Sequence, residues 1–242
     1  MTIKYSDLKL PQRPIISAGK QEIDDKLGGG IPRSSLTLVE GLSDSGKSVL
    51  LQQICHGALK QGLAVNYYTT ENTVRSLLRQ MESLKFSVTD YLFLGMMRIY
   101  AMRPQANTKI RDETRLFQYL AHHCSLKEVE VIIIDSLTNL VNRARYEEIL
   151  DFFMACKKMC DLGKTVFFSI HPQVLQEEYL IRLRSICDVH LVLHTETLGG
   201  SLRKVLQVSK VRGATQNTGN VVSFEIEPNL GIRVFPIGQA LA

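Results

Sequence analysis

Along the chain, short runs of consecutive apolar residues alternate with longer segments whose apolar positions recur at helical spacing. Runs of the first kind have the length and β-branched content of buried strands, and segments of the second have the period of amphipathic helices. Residues 35–40 read as a strand, followed by a glycine-bearing loop and a helix over Lys47–Lys60 that stops near Gly62. A second strand covers 63–69, and 73–85 reads as a helix with Val74, Leu77, Leu78, Met81 and Leu84 on one face. Residues 92–102 fit either state, with a strand preferred over Met97–Ala101. Then come a helix at 111–125, a continuous β-branched strand at 129–135, a helix at 146–162 closed by Gly163, a strand at Thr165–Ile170 and a short helix at 177–185. The last third changes character: 189–194, 202–211, 221–226 and Gly231–Phe235 read as strands joined by Gly and Asn turns, hairpins added to the preceding core. Alternating strands and helices predict an α/β fold with a mostly parallel sheet flanked by helices and an antiparallel C-terminal extension.

Composition narrows this only a little. With 242 residues, 45% of them hydrophobic, the chain is expected to form one domain spanning 1–242, with residues 1–26 as an N-terminal arm. The loop Leu27-Gly28-Gly29-Gly30-Ile31-Pro32 follows that arm and needs the backbone freedom of glycine. The net charge of +5 is mildly basic, and no Lys/Arg run or stripe interleaved with aromatics accompanies it, so a nucleic-acid partner is not expected. The five cysteines, at 55, 124, 156, 160 and 187, include no Cys-x-x-Cys pair. Cys156 and Cys160 stand one helical turn apart; a metal pair is conceivable, but two small apolar residues on a buried helix face is the expected reading. Reduced thiols, no secretory signal pattern and no apolar run near the ~20 residues of a membrane span together predict a cytoplasmic location.

Chemistry enters at Gly41-Leu42-Ser43-Asp44-Ser45-Gly46-Lys47-Ser48, a full match to the P-loop pattern G-x-x-x-x-G-K-[ST] between a strand and a helix. Its backbone N–H groups, from Gly41, Ser43, Asp44, Ser45 and Gly46 through Val49, are expected to cradle the phosphates of ATP at the positive end of the helix. Lys47 is expected to reach the β- and γ-phosphates and the Ser48 hydroxyl to ligate Mg²⁺. Asp135 ends the 129–135 strand and would hold Mg²⁺ through a water. The nearby hydroxyls of Ser136 and Thr138 would either orient the γ-phosphate or cap a turn, the turn being preferred. Glu71, just past the second strand, is the candidate to position a water for in-line attack, or else a helix N-terminal carboxylate. His171, after the 165–170 strand, would sense the γ-phosphate or simply be a loop histidine.

The Leu27–Pro32 loop, the P-loop, Thr70-Glu71, the Asp135 strand and Ser209-Lys210-Val211-Arg212-Gly213 resemble the KaiC-like branch of the RecA-type P-loop ATPases over nearly the whole chain. Within that branch, Glu40-Gly41, Gly46-Lys47-Ser48-Val49-Leu50 and Thr69-Thr70-Glu71-Asn72 are most similar to the FlaH (ArlH) family, accessory ATP-binding proteins of the archaeal flagellum, or archaellum. The resemblance implies a RecA-like core, adenine as the base and a homo-hexameric ring with nucleotide between neighbours. It implies that Lys210 and Arg212 reach a neighbour's γ-phosphate in trans; periodicity alone makes them two same-face residues on an exposed strand. It also implies protein partners: the archaellum motor ATPase and its membrane platform, with the chain peripheral at the membrane-bound motor. Active KaiC-like members carry a second glutamate where this chain has Asn72, so tight ATP binding with slow or absent hydrolysis is expected, a nucleotide switch rather than an engine. Two other readings share the core: a DNA-acting RecA-type ATPase, and a KaiC-like autophosphorylating signalling ATPase. Against the first, the segment after His171 is short and carries Glu177 and Glu178, although Arg182 and Arg184 are also present.

Overall fold

Every residue of the strand that feeds the P-loop, β3 (Leu36–Gly41), is buried, because layers of helices cover both faces of the sheet around it. A computed structural model describes residues 14–102, 113–126, 128–142, 144–198, 201–214, 216–219 and 221–235. The first half of the predicted N-terminal arm and residues 111–112 of the predicted helix lie outside these. β3 pairs in parallel with β7 (Thr165–Ile170) on one side and with β8 (Val189–Leu198) on the other. Beyond β7 come β6 (Val131–Asp135), β4 (Val65–Thr69) and the edge strand β5 (Met97–Ala101), all parallel. Beyond β8, the antiparallel strands β9 (Ser201–Val211), β10 (Val221–Glu227) and β11 (Gly231–Phe235) complete a nine-stranded sheet. The mostly parallel α/β class is thus as the pattern predicts, with one correction. β8 forms the expected antiparallel hairpin with β9, but it also runs parallel beside β3 and so belongs to the core, a pairing that local spacing cannot reveal.

On one face lie α2 (Lys47–Lys60) and α3 (Val74–Ser83), and their core includes Leu51, Ile54, Tyr67, Leu77 and Phe167. On the other lie α5 (Glu113–Leu126), α7 (Tyr146–Asp161) and α8 (Glu177–Ile186), around Phe117, Phe152, Phe153 and Phe168. Short α4 (Thr89–Phe93) and α6 (Thr138–Val141) fill connections. In α3, Leu77 and Met81 are buried and Leu84 follows them as expected, but Val74 is 40% exposed. It is the first helical residue, inside the capping box closed by Thr73 and Ser76, and the buried face begins only at Leu77. All five cysteines are free and buried, and among the described residues no cluster of His, Cys, Asp and Glu is arranged to hold a metal. Cys156 and Cys160 sit in the core beneath α7. Among the described residues no helix is long and apolar enough to cross a membrane.

The described part of the N-terminal arm is packed against the domain. β1 (Ile15–Ile16) pairs with β2 (Ile31–Pro32), and α1 (Gln21–Lys26) lies between them in sequence. The link Gly28, Gly29, Gly30 has φ of 74°, 104° and 131°, all left-handed values that side chains resist. Asp24 accepts hydrogen bonds from the Ser17 hydroxyl (2.5 Å) and the Ala18 N–H (2.7 Å), closing the turn that crosses α2. The crossing requires Gly57: a Cβ there would sit 2.2 Å from the Ser17 carbonyl oxygen. Gly57→Ala is therefore expected to destabilise the fold by about 1–3 kcal/mol despite alanine's better helix propensity. Urea denaturation of the two proteins checks this, and an unchanged midpoint would mean that the arm is not held against α2.

Candidate functional site

The C-terminal edges of β3, β4, β6 and β7 converge on one open cavity of about 550 Å³, where ligands of open α/β sheets bind. Between β3 and α2 the chain curls through Asp44 (φ 58°) and Gly46 (φ 100°). Gly41 has no room for a side chain, since a Cβ would lie 2.5 Å from both the Leu193 carbonyl oxygen and the Ser45 hydroxyl oxygen. No side chain caps the N-terminus of α2, so the N–H groups of its first turn and its positive dipole end are left for a ligand. Lys47 Nζ donates to the carbonyls of Gly41 (2.8 Å) and Leu42 (2.7 Å), lying along the loop. Burial holds its amine below the ordinary lysine value, opposed by the charges of Asp135, Glu71 and Asp44. Of the predicted P-loop residues, Ser43, Asp44, Gly46, Lys47, Ser48 and Val49 line the cavity, while Gly41 and the buried Ser45 support the loop from behind.

Asp135 ends β6 opposite Thr69 of β4 and is only 3% exposed. Its Oδ1 accepts from the hydroxyls of Ser48 (3.1 Å) and Ser169 (2.6 Å), and its Oδ2 from Tyr67 Oη (2.8 Å). Burial raises its pKa, and the bonds from Ser169, Tyr67 and Ser48 offset part of that rise. β7 stands between β3 and β6 and supplies Ser169, so the carboxylate meets the P-loop across an intervening strand. Two corrections follow for the neighbouring hydroxyls, for which turn capping is the preferred sequence reading. The Ser136 hydroxyl donates to Glu71 Oε1 (2.8 Å), holding that carboxylate at the cavity wall. Thr138 Oγ1 accepts from the His171 N–H (3.0 Å), fixing the loop after β7. His171 also lines the cavity, and its Nδ1 accepts from the Gln173 N–H at the start of a short 3₁₀ turn. Asn72 is occupied elsewhere: its Oδ1 accepts from the Ser76 hydroxyl at the start of α3.

Lys210 and Arg212 lie away from this cavity. Lys210 on β9 pairs with His190 of β8, which pairs with Leu38, three residues before Gly41 and so roughly 10 Å short of it along the strand. Its Nζ donates to the Arg184 carbonyl (2.5 Å). Arg212 stands in the turn beyond β9, exposed, its N–H donating to the Asp188 carbonyl; the two do not share one exposed strand face. Ser209 has no partner on β8: Lys210 faces His190 and Val208 faces Leu191, a bulge. Lys204, six residues earlier, pairs with Thr195. His190 and Thr195 are an odd number of residues apart, so the bulge puts Lys204 and Lys210 on opposite faces of the sheet.

Several side chains here escape sequence reasoning. Lys204, Gln80 and Ile226 line the cavity, and Tyr67 and Ser169 hold Asp135, all from elements distant in sequence. Behind the P-loop, Glu40 is 2% exposed and receives a two-pronged bond from Arg184, Nε to Oε1 (2.7 Å) and Nη2 to Oε2 (2.6 Å). His190 Nε2 is 3.0 Å from Glu40 Oε1, and Arg184 also pairs with Glu177. Burial pushes the Glu40 pKa up, but Arg184 and His190 outweigh it and leave it below the ordinary value. Arg184, one of two arginines that would favour a DNA contact, is thus committed inside the molecule.

The family model described as "ATPase: KaiC" matches residues 16–239. The archaeal flagellar ATP-binding protein FlaH of Sulfolobus acidocaldarius is 31% identical over 94% of this chain and 100% of its own. The crystal structure of the flagellar accessory protein FlaH from Methanocaldococcus jannaschii superposes with a TM-score of 0.81 at 27% identity, covering 91% of this chain and 98% of that one. A KaiC-like protein from Pyrococcus horikoshii, at 20% identity and TM-score 0.75, shares the fold. The P-loop edge, the buried aspartate and this likeness along the full length converge: the chain belongs to the KaiC family of ATPases, and within it to the FlaH branch.

Proposed function

We propose that this protein binds ATP with Mg²⁺ as an accessory component of the archaeal flagellum motor, acting as a nucleotide-dependent switch with slow or no hydrolysis. The observation that carries the reading is the uncapped P-loop helix facing a buried carboxylate, with Ser48 and Asp135 already 3.1 Å apart at the cavity. Hydroxyl and carboxylate oxygens suit a hard cation, so Ser48 and Asp135 would hold Mg²⁺. Held there, the ion supplies positive charge to the phosphate oxygens. Lys47 trades the two loop carbonyls for phosphate, and Glu71, braced by Ser136, faces the cavity where a water would attack. Slow turnover is supported by Asn72, whose Oδ1 accepts from the Ser76 hydroxyl and which adds no second carboxylate.

The flagellar role rests on the FlaH relatives, named for flagellar ATP binding and as a flagellar accessory protein. A ring, hexameric in this reading, is supported by Lys210 and Arg212, which stand too far from their own P-loop to serve it and would serve a neighbour's. Nucleotide between subunits would then order ring contacts and set affinity for the motor ATPase at its membrane platform. ATP titration with oligomeric mass and turnover recorded together tests this. Expected are binding at micromolar levels, an ATP-dependent ring and turnover far below about 1 s⁻¹. A chain that stays monomeric with ATP, or brisk turnover abolished by Glu71→Gln, would sink the switch.

A further inference from the structure

Besides Lys47, the cavity holds one more lysine among its described lining residues, and it comes from a strand that is separated from β3 by β8. Lys204 lies on β9, on the strand face that carries Leu206 and Val208 into the core beneath α2. Its Nζ donates to the backbone carbonyl of Asp44, at the left-handed bend of the P-loop. Its stem packs over Gly46, where a Cβ would come within 3.4 Å of Lys204 Cδ, beside its cross-strand partner Phe224. The ammonium is therefore delivered by a rigid strand to the lip of the loop that would receive phosphates.

Charge makes the placement consequential. The cavity lining carries Asp44, Glu71 and Asp135 against the amines of Lys47 and Lys204. Lys47 is already tied along the loop by two carbonyls. Without Lys204, a polyphosphate would enter a site with three carboxylates and one amine, and repulsion in this partly enclosed space is weakly screened.

We propose that Lys204 is a second phosphate-binding residue contributed in cis, which rests on the Asp44 carbonyl in the free protein and turns to the nucleotide's phosphates on binding. This deepens the ATP-binding reading and rests on it. Calorimetric titration of wild type, Lys204→Met, Lys204→Gln and Lys204→Arg with ATP, ADP and AMP tests it. Losing one charge-assisted bond is expected to weaken ATP about ten- to a hundredfold in the Met and Gln variants, with Arg recovering most of it. The loss should shrink from ATP to ADP to AMP, and the salt dependence of ATP binding should flatten. Melting of the nucleotide-free variants should stay near wild type, and the Gln variant keeps the test open should the Met variant melt early. The proposal is overturned when the variants bind ATP within twofold of wild type. It is overturned equally when ATP and AMP lose the same factor, which would make Lys204 a prop for the loop. Wild type failing to bind ATP would sink the functional reading itself, and this proposal with it.

Discussion

Lys47→Ala is expected to weaken ATP binding by at least about a hundredfold while leaving the nucleotide-free fold within about 1 kcal/mol of wild type. In the free protein the ammonium spends two hydrogen bonds on the carbonyls of Gly41 and Leu42. Phosphate must replace both, so the net gain on binding is less than two new charge-assisted bonds at about 1.5–3 kcal/mol each. A net of about 3 kcal/mol remains, which is the hundredfold. The free fold is spared because water reaches the exposed Leu42 and replaces the lost donor there. Calorimetric titration with ATP and a thermal melt without it measure the two halves. Retained affinity would mean that nucleotide binds somewhere other than this loop.

Arg184→Met is expected to cost stability rather than chemistry, on the order of 3 kcal/mol. It leaves Glu40 buried with its principal partner gone, and breaking a buried pair costs about 3–5 kcal/mol. The lower end applies because the Arg184 side chain is 27% exposed. The pH dependence should change sign with it. In wild type the Glu40 pKa lies below its ordinary value of 4.5, so this pair stabilises above that value and the contribution is lost as pH falls through the folded pKa. In the variant, burial is unopposed by arginine and pushes the carboxyl up instead. The unpaired carboxylate then costs most at neutral pH, and acidification from pH 7 toward 5 restores stability as Glu40 takes a proton. Arg184→Met with Glu40→Leu should recover most of the loss by removing the stranded charge. Denaturant melts at several pH values decide it, and a variant whose stability still falls toward pH 5 would contradict the assignment.

What the sequence discloses follows from how far apart in the chain the cooperating residues lie. Residues 41–49 are contiguous, and their chemistry is a property of one strand, one loop and one helix, so the pattern alone locates them. Asp135 is legible because a charge that ends a β-branched run stands at a strand terminus. Ser169, Tyr67 and Lys204 are not, since each reaches the site only through sheet order and pairing register, which local periodicity does not encode. The hairpin of β8 with β9 is legible, but the place of β8 beside β3 is not, for the same reason: β3 lies about 150 residues earlier. Glu40 and Arg184 read as a strand end and a surface helix residue until tertiary packing brings them together. The neighbouring Asp135 locates Ser136 and Thr138 near the site, but their partners, Glu71 and His171, belong to other strand ends.

The unpaired Ser209 constrains how this chain tolerates changes in length. Side chains on a strand alternate faces, so inserting one residue between Lys204 and Lys210, or deleting one of the paired residues 205–208 while the bulge is kept, would turn one lysine to the other side; deleting the unpaired Ser209 would not. Either the ammonium would leave the P-loop lip or the Lys210–Arg212 end would lose its seat beside Arg184. Two-residue changes preserve both orientations but shift the reach by roughly 7 Å. The paired residues 205–208 are thus a gauge of fixed length. Drift across lineages should accumulate in the connections around it, such as that between β8 and β9, while the number of paired residues between Lys204 and Lys210 stays the same.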